Sequence, residues 1–339
     1  MRPVRIAVAG AGLIGRRHIE LLRADAHCEL VAVADPAAPA LDVPVCPSLP
    51  ELCAAERPDG VIVATPNRWH VRNGLECVEA GVPVLVEKPI ADTVADAEVL
   101  VKAAEEAGVP LLVGHHRRHS PILARAREIV RGGVLGRVVA VQGSATFAKP
   151  DDYFEQAWRR EPGGGPILIN LSHEVDNLRH LCGDIVAVQA QSSRAARGFD
   201  VEDTAAVTLR FASGALGTFL VSDVAASGRS WEQTSRENPH YPSYPDEDCY
   251  VISGTHGSLA VPTMRLRVAD GAPSWWKPMR TSLVDVERAD PLARQLAHFR
   301  AVITGAERPL VSGREGLATL RATQAVADAA GTGDLITLC

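Results

Sequence analysis

Lys88 is the residue whose type and position most directly suggest chemistry. It follows an apolar run over residues 82–86, where a strand is predicted to end, and it stands between Glu87 and Pro89. A solvated surface lysine is the alternative, but the end of a buried strand favours a functional ammonium. Such a group can polarise an oxygen. It can also accept a proton from an alcohol once its ordinary pKa of about 10.4 is lowered by burial or by a neighbouring positive charge.

A glycine-rich turn follows the first apolar run, residues 4–9. The turn consists of Gly10, Ala11, Gly12, Leu13, Ile14 and Gly15. Gly10 permits a tight turn, Gly12 lets the backbone approach a pyrophosphate, and Gly15 allows a helix to pack closely on the strand. A helix-like stretch comes next, so its N-terminus would face the phosphates. Strand, turn and helix together predict a dinucleotide-binding site.

Asp35 directly follows the second apolar run, residues 30–34, and lies twenty residues beyond Gly15. A carboxylate at this strand end would accept hydrogen bonds from the adenine ribose hydroxyls and repel a 2′-phosphate. No arginine follows it closely to replace it as a phosphate clamp. The predicted cofactor is therefore NAD rather than NADP.

The elements that position these residues alternate between strand and helix. Apolar strand candidates span residues 4–9, 30–34, 60–64, 82–86 and 110–114. Their alternation with helix-like segments predicts a doubly wound parallel sheet of the Rossmann type, whose carboxyl edge would carry Asp35, Thr65 and Glu87. Beyond residue 119, longer alternating strands predict an α+β domain with a large, mostly antiparallel sheet. We expect two domains, residues 1–119 and 120–339.

Composition excludes several classes of protein. The 339 residues are 46% hydrophobic and 22% charged, as in globular proteins of two domains. A net charge of −6 gives no basic surface for nucleic acid. No apolar stretch is long enough for a membrane span and no leader precedes the first strand, so we expect a cytoplasmic protein with a small-molecule substrate.

These features together resemble the glucose-fructose oxidoreductase and inositol dehydrogenase family of NAD(P)-dependent enzymes. The resemblance spans nearly the whole chain. It rests on the glycine turn, Ala64-Thr65-Pro66-Asn67 with His70, Glu87-Lys88-Pro89, Trp158-Arg159 with Gly163-Gly164-Gly165, and His173-Glu174-Val175-Asp176. It implies a Rossmann domain, then a domain for substrate binding and oligomerisation whose sheet joins a homodimer or homotetramer. It also implies substrates that are sugars, cyclic polyols or their acids.

The resemblance also assigns residues. Cofactor contacts fall on the glycine turn and on Asp35, Thr65, Pro66, Asn67, His70, Glu87, Lys88 and His116. Lys88 and His173 would lie at the reacting carbon, with Asn170 as a third catalytic candidate. Substrate contacts are expected from Arg118, Trp158, Arg159 and Asp176.

One position departs from the family pattern. The family commonly has an Asp four residues before this histidine, where this chain has Ile169, with Asn170 one place later. Asn170 and His173 would share one face of a helix, and the opposite face would be buried through Leu171, Val175, Leu178 and Leu181. An amide holds a hydroxyl or a lysine but brings no charge. Histidine, with a pKa near 6.5, is the favoured proton acceptor, but whether Lys88 or His173 accepts the proton stays open, and a structural role for the histidine is the alternative.

His115, His116 and His119 are spaced in a way that invites a metal site. Arg117 and Arg118 lie among them and no carboxylate or thiolate is adjacent, so we expect no metal. Together with Arg159, this segment would make the pocket positive and favour a substrate that carries a carboxylate. Alternatively, these arginines pair with Glu87, Glu161 or Glu174 and hold the domains together.

The expected function is an NAD-dependent dehydrogenase that oxidises a secondary hydroxyl of a sugar, cyclic polyol or related hydroxy acid, with Lys88 and His173 as acid–base groups. Two alternatives share the same motifs. One is an NAD-using epimerase or lyase with transient oxidation, and the other is a non-catalytic NAD-binding sensor. The fold alone does not distinguish these functions.

Overall fold

The computed structural model describes residues 2–37 and 41–338 and divides into two compact units. The first unit comprises Met1–His116 and Pro291–Leu320, and the second comprises Arg117–Asp290 and Arg321–Cys339. The sequence pattern assigns the whole segment from residue 291 to the second domain, but the first unit includes Pro291–Leu320 of it. The reason is packing, because Leu296 and Phe299 are buried against the core side chains of the first unit's sheet.

Within the described residues, the first unit contains a parallel sheet of six strands. They are β1 (Val4–Ala9), β2 (Cys28–Ala34), β3 (Val45–Cys46), β4 (Gly60–Val63), β5 (Val84–Val86) and β6 (Leu111–Val113). Their order is β3-β2-β1-β4-β5-β6, and the central strands are buried. This confirms the predicted doubly wound Rossmann sheet, whose ligand site lies at the carboxyl ends of its strands.

Some of the helices begin at a residue whose side chain caps them. They are α1 (Leu13–Ala24), α2 (Leu49–Glu56), α3 (His70–Glu79), α4 (Val94–Ala107), α5 (Pro121–Arg131), α6 (Ser172–Cys182), α7 (Trp231–Ser235), α8 (Pro291–Ile303) and α9 (Gly313–Thr332). Thr93 caps α4 by accepting the N–H of Asp96, and Ser120 caps α5 in the same way. None of the described helices combines the length and the hydrophobicity that crossing a membrane requires.

The second unit contains a mixed sheet. In the part of the chain that the structure describes, its strands are β7 (Val138–Ala148), β8 (Ile185–Ser193), β9 (Thr204–Phe211), β10 (Leu216–Ser222), β11 (Val224–Arg229), β12 (Tyr250–Gly254), β13 (Gly257–Val261), β14 (Arg265–Ala269), β15 (Met279–Leu283) and β16 (Ile336–Thr337). The order is β15-β14-β13-β12-β7-β10-β9-β8-β16, with β11 against β7. Only β7 and β10 pair in parallel among these strands, so the predicted, mostly antiparallel sheet is confirmed.

One face of this second sheet is buried and the other is exposed. In β9, Ala205, Val207 and Leu209 are buried, whereas the residues between them are exposed. This alternation has the period of two that a half-buried strand requires. The buried side chains join those of α5 and α6 in one hydrophobic core.

Candidate functional site

The glycine turn brings the end of β1 close to the start of α1. Gly10 has a φ of +92°, and a Cβ there would lie 2.6 Å from the carbonyl oxygen of Ala64. A Cβ on Gly15 would lie 2.0 Å from the oxygen of Gly10. By contrast, a Cβ on Gly12 would meet no atom within 4 Å, and Leu13 is 93% exposed. The turn is therefore tight on the sheet side and open at the N-terminus of α1, as a pyrophosphate cradle requires.

Asp35 lies at the carboxyl end of β2 beside this turn. One carboxylate oxygen, Oδ2, accepts the backbone N–H of Ala11 at 2.7 Å, and Oδ1 accepts that of Ala37 at 2.8 Å. These bonds hold an anionic side chain against the glycine turn. The residues present thus fit a dinucleotide whose ribose hydroxyls face a carboxylate.

The loop after β4 carries Thr65, Pro66 and Asn67. Pro66 and Asn67 are exposed, and the Thr65 hydroxyl donates to Oδ1 of Asn73 at 3.0 Å. His70 is buried and lies between two carbonyl oxygens, with Nε2 2.8 Å from that of Thr65 and Nδ1 2.7 Å from that of Pro89. His70 therefore links the loops after β4 and β5, which supports both strand ends.

Glu87 is buried at the carboxyl end of β5 and forms a pair with His18 of α1. Nε2 of His18 lies 2.8 Å from Oε1 of Glu87, and Oε2 accepts the backbone N–H of Lys88 at 3.2 Å. Burial alone would raise the pKa of Glu87. The hydrogen bond from His18 and the charges of His18, His116 and Lys88 outweigh burial, so the pKa lies below its ordinary value. Glu87 is thus a carboxylate that holds the half-buried Lys88 at the strand end.

The second unit carries Asn170 and His173 across a change of helix type. Residues Ile167–Leu171 form a π-turn that continues directly into α6. Both Asn170 and His173 are half-buried. The side chains predicted to face the core are indeed buried, namely Leu171, Val175, Leu178 and Leu181. No pattern in the sequence predicts the π-turn, a feature often found at functional sites.

Glu202 anchors the start of this π-turn, a role that we did not foresee from the sequence. Its Oε1 accepts the backbone N–H of Ile167 at 3.0 Å. A Cβ on Gly165 would lie 2.3 Å from that same oxygen, and a Cβ on Gly164 would lie 2.3 Å from the carbonyl oxygen of Trp158. These contacts explain the glycine run, because a side chain at Gly165 would displace the Glu202 carboxylate that holds Ile167, and one at Gly164 would clash with the backbone of Trp158 and Arg159.

Arg117 is buried and is committed to two ion pairs within the second unit. Nη1 lies 2.6 Å from Oε1 of Glu174, and Nη2 lies 2.6 Å from Oε1 of Glu232. The Tyr250 hydroxyl donates to the other oxygen of Glu174. Burial raises the pKa of Glu174, although Arg117 opposes that rise. This arrangement fits the alternative in which Arg117 pairs with Glu174. It gives no support to the expectation that Arg117 binds the substrate.

Arg118 and Asp176 bind each other. Nε and Nη2 of Arg118 donate to the two carboxylate oxygens of Asp176 at 2.7 and 2.8 Å, and both side chains are buried. His180 lies 3.0 Å from Nη1 of the same arginine, and burial followed by the Arg118 charge lowers its pKa to about 3. Such a two-bond pair is a structural contact. The expected substrate contacts of Arg118 and Asp176 therefore gain no support from this arrangement.

Trp158 and Arg159 lie on a short 3₁₀ turn, Ala157–Arg160. Trp158 is about half exposed. The Arg159 guanidinium lies 3.9 Å from the centre of the Tyr153 ring and donates to the Tyr153 carbonyl oxygen at 2.6 Å. These two residues remain accessible candidates for substrate contact.

Lys149 contacts Asn170, and it is not among the candidate site residues predicted from the sequence. It follows β7 directly, and Nζ donates to Oδ1 of Asn170 at 2.9 Å and lies 3.0 Å from Oδ2 of Asp223. Burial lowers its pKa, although Asp223 opposes this. The sequence does contain a signal for this residue, because Lys149-Pro150 follows a strand just as Lys88-Pro89 does. Among residues 2–37 and 41–338, no group of three or more histidine, cysteine, aspartate or glutamate side chains could hold a metal ion.

Comparisons with known proteins agree with this geometry. Residues 4–115 match the model of the oxidoreductase family with an NAD-binding Rossmann fold, and residues 123–260 match the GFO/IDH/MocA C-terminal domain. The chain is 30% identical over 305 residues to 1,5-anhydro-D-fructose reductase of Ensifer adhaerens, covering 84% of this chain and 81% of that protein. It is 26% identical to inositol 2-dehydrogenase of Rhizobium meliloti, covering 96% of each.

A solved structure is similar over the full length. The WlbA dehydrogenase from Bordetella pertussis, in complex with NADH and UDP-GlcNAcA, superposes with a TM-score of 0.78 at 26% identity, covering 100% of this chain and 99% of that one. Both family domains thus match a chain that has three features of the expected site, namely an open glycine turn, a carboxylate at the end of β2 and a lysine at the end of β5. The chain belongs to the GFO/IDH/MocA family and is an NAD-binding oxidoreductase.

Proposed function

We propose that this protein is an NAD-dependent dehydrogenase that oxidises a secondary hydroxyl of a sugar, cyclic polyol or related hydroxy acid. The observation that carries the proposal is Lys88, held at the carboxyl end of β5 by the buried Glu87. The sheet edge that presents it also carries the glycine turn and Asp35. Relatives named as a sugar reductase and an inositol dehydrogenase support this class of substrate.

The cofactor would be held by residues of the first unit. The open backbone at Gly12 and the N-terminus of α1 suit the pyrophosphate, and Asp35 suits the adenine ribose. Thr65, Pro66 and Asn67 are proposed to line the nicotinamide half. When bound, NAD supplies the hydride acceptor.

Lys88 and His173 are the proposed acid–base groups. Oxidation of an alcohol removes a proton as well as a hydride, so a base must contact the hydroxyl. We assign this role to His173, since an imidazole is near its working range without a large change in pKa, and we assign to Lys88 the polarisation of the same oxygen. Asn170 would hold the substrate by hydrogen bonding.

The exposed face of the second unit's sheet is the proposed contact between subunits. Leu220 of β10 is 44% exposed and pairs with Ala206 of β9, which is also exposed. On the same face, Thr218 pairs with Thr208. These small and apolar side chains suit a second copy, giving a homodimer or homotetramer.

A panel of sugars, cyclic polyols and sugar acids, incubated with NAD and followed by NADH absorbance, tests the proposal. We expect stoichiometric NADH formation with at least one secondary alcohol. Product formed without net NADH would instead indicate an epimerase or lyase with transient oxidation. Absence of any conversion, together with absence of NADH binding, would contradict the proposal.

A further inference from the structure

Lys149 is a lysine with a largely buried side chain, and the proposed reaction supplies no role for it. Its side chain is 9% exposed, and Nζ contacts Oδ1 of Asn170 at 2.9 Å and Oδ2 of Asp223 at 3.0 Å. The ring of Tyr153, with its centre 4.5 Å from Nζ, covers a third side. The ammonium is therefore fixed in position next to a candidate catalytic residue.

This contact determines the orientation of the Asn170 amide. An asparagine amide has an accepting oxygen on one branch and a donating nitrogen on the other, and a lysine only donates. Lys149 must therefore face Oδ1, which leaves Nδ2 on the opposite branch. Among residues 2–37 and 41–338, Nδ2 has no hydrogen-bond partner, and Asn170 is half-buried. Two N–H groups are thus available to a ligand.

The amide lies among charged side chains. Arg197 and Arg159 act electrostatically on Lys149. Asp223 contacts Lys149 directly and lies 3.5 Å from Nε of Arg197, and Glu202 is a second carboxylate that acts on Lys149. A ligand carboxylate at Asn170 would meet the amide N–H groups next to the Lys149 ammonium, which is the charge-assisted contact that favours an anion.

We infer that Lys149 is a positioning residue that holds the Asn170 amide with its N–H groups toward the substrate, so that this position binds a substrate carboxylate. The inference rests on the proposed function, because it takes Asn170 as part of the substrate site. The aspartate usual in the family would repel a carboxylate, whereas a donating amide beside an ammonium attracts one. The substrate class is therefore a hydroxylated ring or sugar acid.

Calorimetric binding to the NADH-loaded enzyme tests the inference without requiring turnover. The probes are D-glucuronate and D-galacturonate, each compared with its parent hexose. We expect the wild type to bind at least one uronate about tenfold more tightly than the hexose, as a hydrogen bond to a charged group allows. Asn170→Asp should abolish this preference. Lys149→Gln should weaken uronate binding about tenfold and leave hexose binding unchanged.

Controls separate positioning from folding. Lys149→Arg keeps the charge and a donor, so it should retain part of the uronate preference, and Lys277→Gln at an exposed lysine should change nothing. Melting temperatures are measured for every variant. If Lys149→Gln does not fold, because Asp223 loses a partner, the Asn170→Asp and Lys149→Arg proteins decide.

Three results would overturn the inference: tighter binding of the hexoses by the wild type, a uronate preference that survives in Asn170→Asp, or no uronate binding at all. The same experiments test the proposed function independently. If a neutral polyol gives NADH but no uronate binds, the proposed function is supported and the inference is wrong. If a uronate binds but no compound of the substrate panel is converted, the inference is supported and the proposed function is not.

Discussion

His18 and Glu87, sixty-nine residues apart in the chain, form a buried contact of 2.8 Å beneath the strand end that carries Lys88. His18 belongs to the helix that begins at the glycine turn, and Glu87 holds the backbone N–H of Lys88. One contact therefore joins the cofactor-binding turn to the candidate catalytic lysine within the first unit.

Removing the charge from this pair should slow catalysis more than it weakens cofactor binding. Glu87→Gln keeps the shape of the side chain but loses a charged hydrogen bond, so we expect kcat to fall about tenfold or more with NADH affinity within about twofold. Steady-state kinetics and NADH titration measure both. Glu79→Gln at an exposed glutamate is the control. Unchanged kcat in Glu87→Gln would show that the pair does not position Lys88.

Lys88 and His173 should each be required for turnover. Lys88→Met and His173→Ala are expected to lower kcat by about 10² or more with little change in NADH binding, as for acid–base groups acting on the substrate. Lys102→Met and His27→Ala, at exposed positions, serve as matched controls. A variant with wild-type turnover would remove that residue from the mechanism. Loss of NADH affinity in Lys88→Met would make the lysine a cofactor ligand.

Asp35 should make the protein select NADH over NADPH. Its carboxylate is fixed against the glycine turn by the N–H of Ala11, so a 2′-phosphate would meet a negative charge. We expect at least about tenfold tighter NADH binding, a ratio that Asp35→Asn should reduce and that Asp42→Asn should leave unchanged. Fluorescence titration with both cofactors measures this. Equal or tighter NADPH binding by the wild type would contradict the prediction and point to Arg16 or Arg17 as a phosphate clamp.

Association through the exposed sheet face should be sensitive to a charge. We expect light scattering to give a mass of two or four chains of 36.1 kDa. Leu220→Glu should shift the protein toward the monomer, because a buried unpaired carboxylate is costly at an interface. Val99→Glu, at an exposed position on α4 of the first unit, should not. A monomeric wild type at micromolar concentration would contradict the proposed contact.

Glu237 should make stability fall as pH rises. Burial raises its pKa from 4.5 to about 7, although hydrogen bonds from Ser120 and Trp231 oppose this. Between these values the folded state binds the proton more tightly than the unfolded state, so protonation stabilises the fold at low pH and that contribution is lost as pH rises through about 7.

The corresponding variant is Glu237→Gln. A pKa of about 7 in place of 4.5 corresponds to at most about 3 kcal/mol. Relative to the wild type, the free energy of unfolding of Glu237→Gln should therefore increase between about pH 5 and about pH 8, as measured by urea titration. Glu155→Gln, at an exposed site, should show no such trend. A parallel pH dependence of the Glu237→Gln variant and the wild type would refute the assignment.

Much of the fold was accessible from the sequence because apolar periodicity records burial. The buried and exposed residues of β9 alternate along its whole length, and the five apolar runs of the first unit all contain strands. β11, β14 and β15 have no comparable apolar pattern, since arginine, serine and glycine interrupt it and β15 is exposed along its whole length. An edge strand has little core to face, so it leaves a weak periodic signal.

The candidate site was predictable in its positions but not in its partners. Strand ends could be located, which placed Asp35, Thr65 and Lys88 correctly at the carboxyl edge of the parallel sheet. The contacts of His18, Glu202 and Lys149 depend on residues far away in the chain, and no local pattern encodes them. Whether Arg117 contacts the substrate or pairs with a carboxylate could not be decided for the same reason, because a sequence shows a cation but not the carboxylate that neutralises it.

The π-turn over Ile167–Leu171 affects how this chain must be aligned with its relatives. A π-turn accommodates more residues per turn than an α-helix, so counting back four places from His173 does not lead to the spatial equivalent of a residue four places back on a regular helix. Ile169 stands four places before His173, but Asn170 makes the polar contact. A comparison that assumes a regular α-helix here would therefore pair Ile169, and not Asn170, with a residue four places before the histidine.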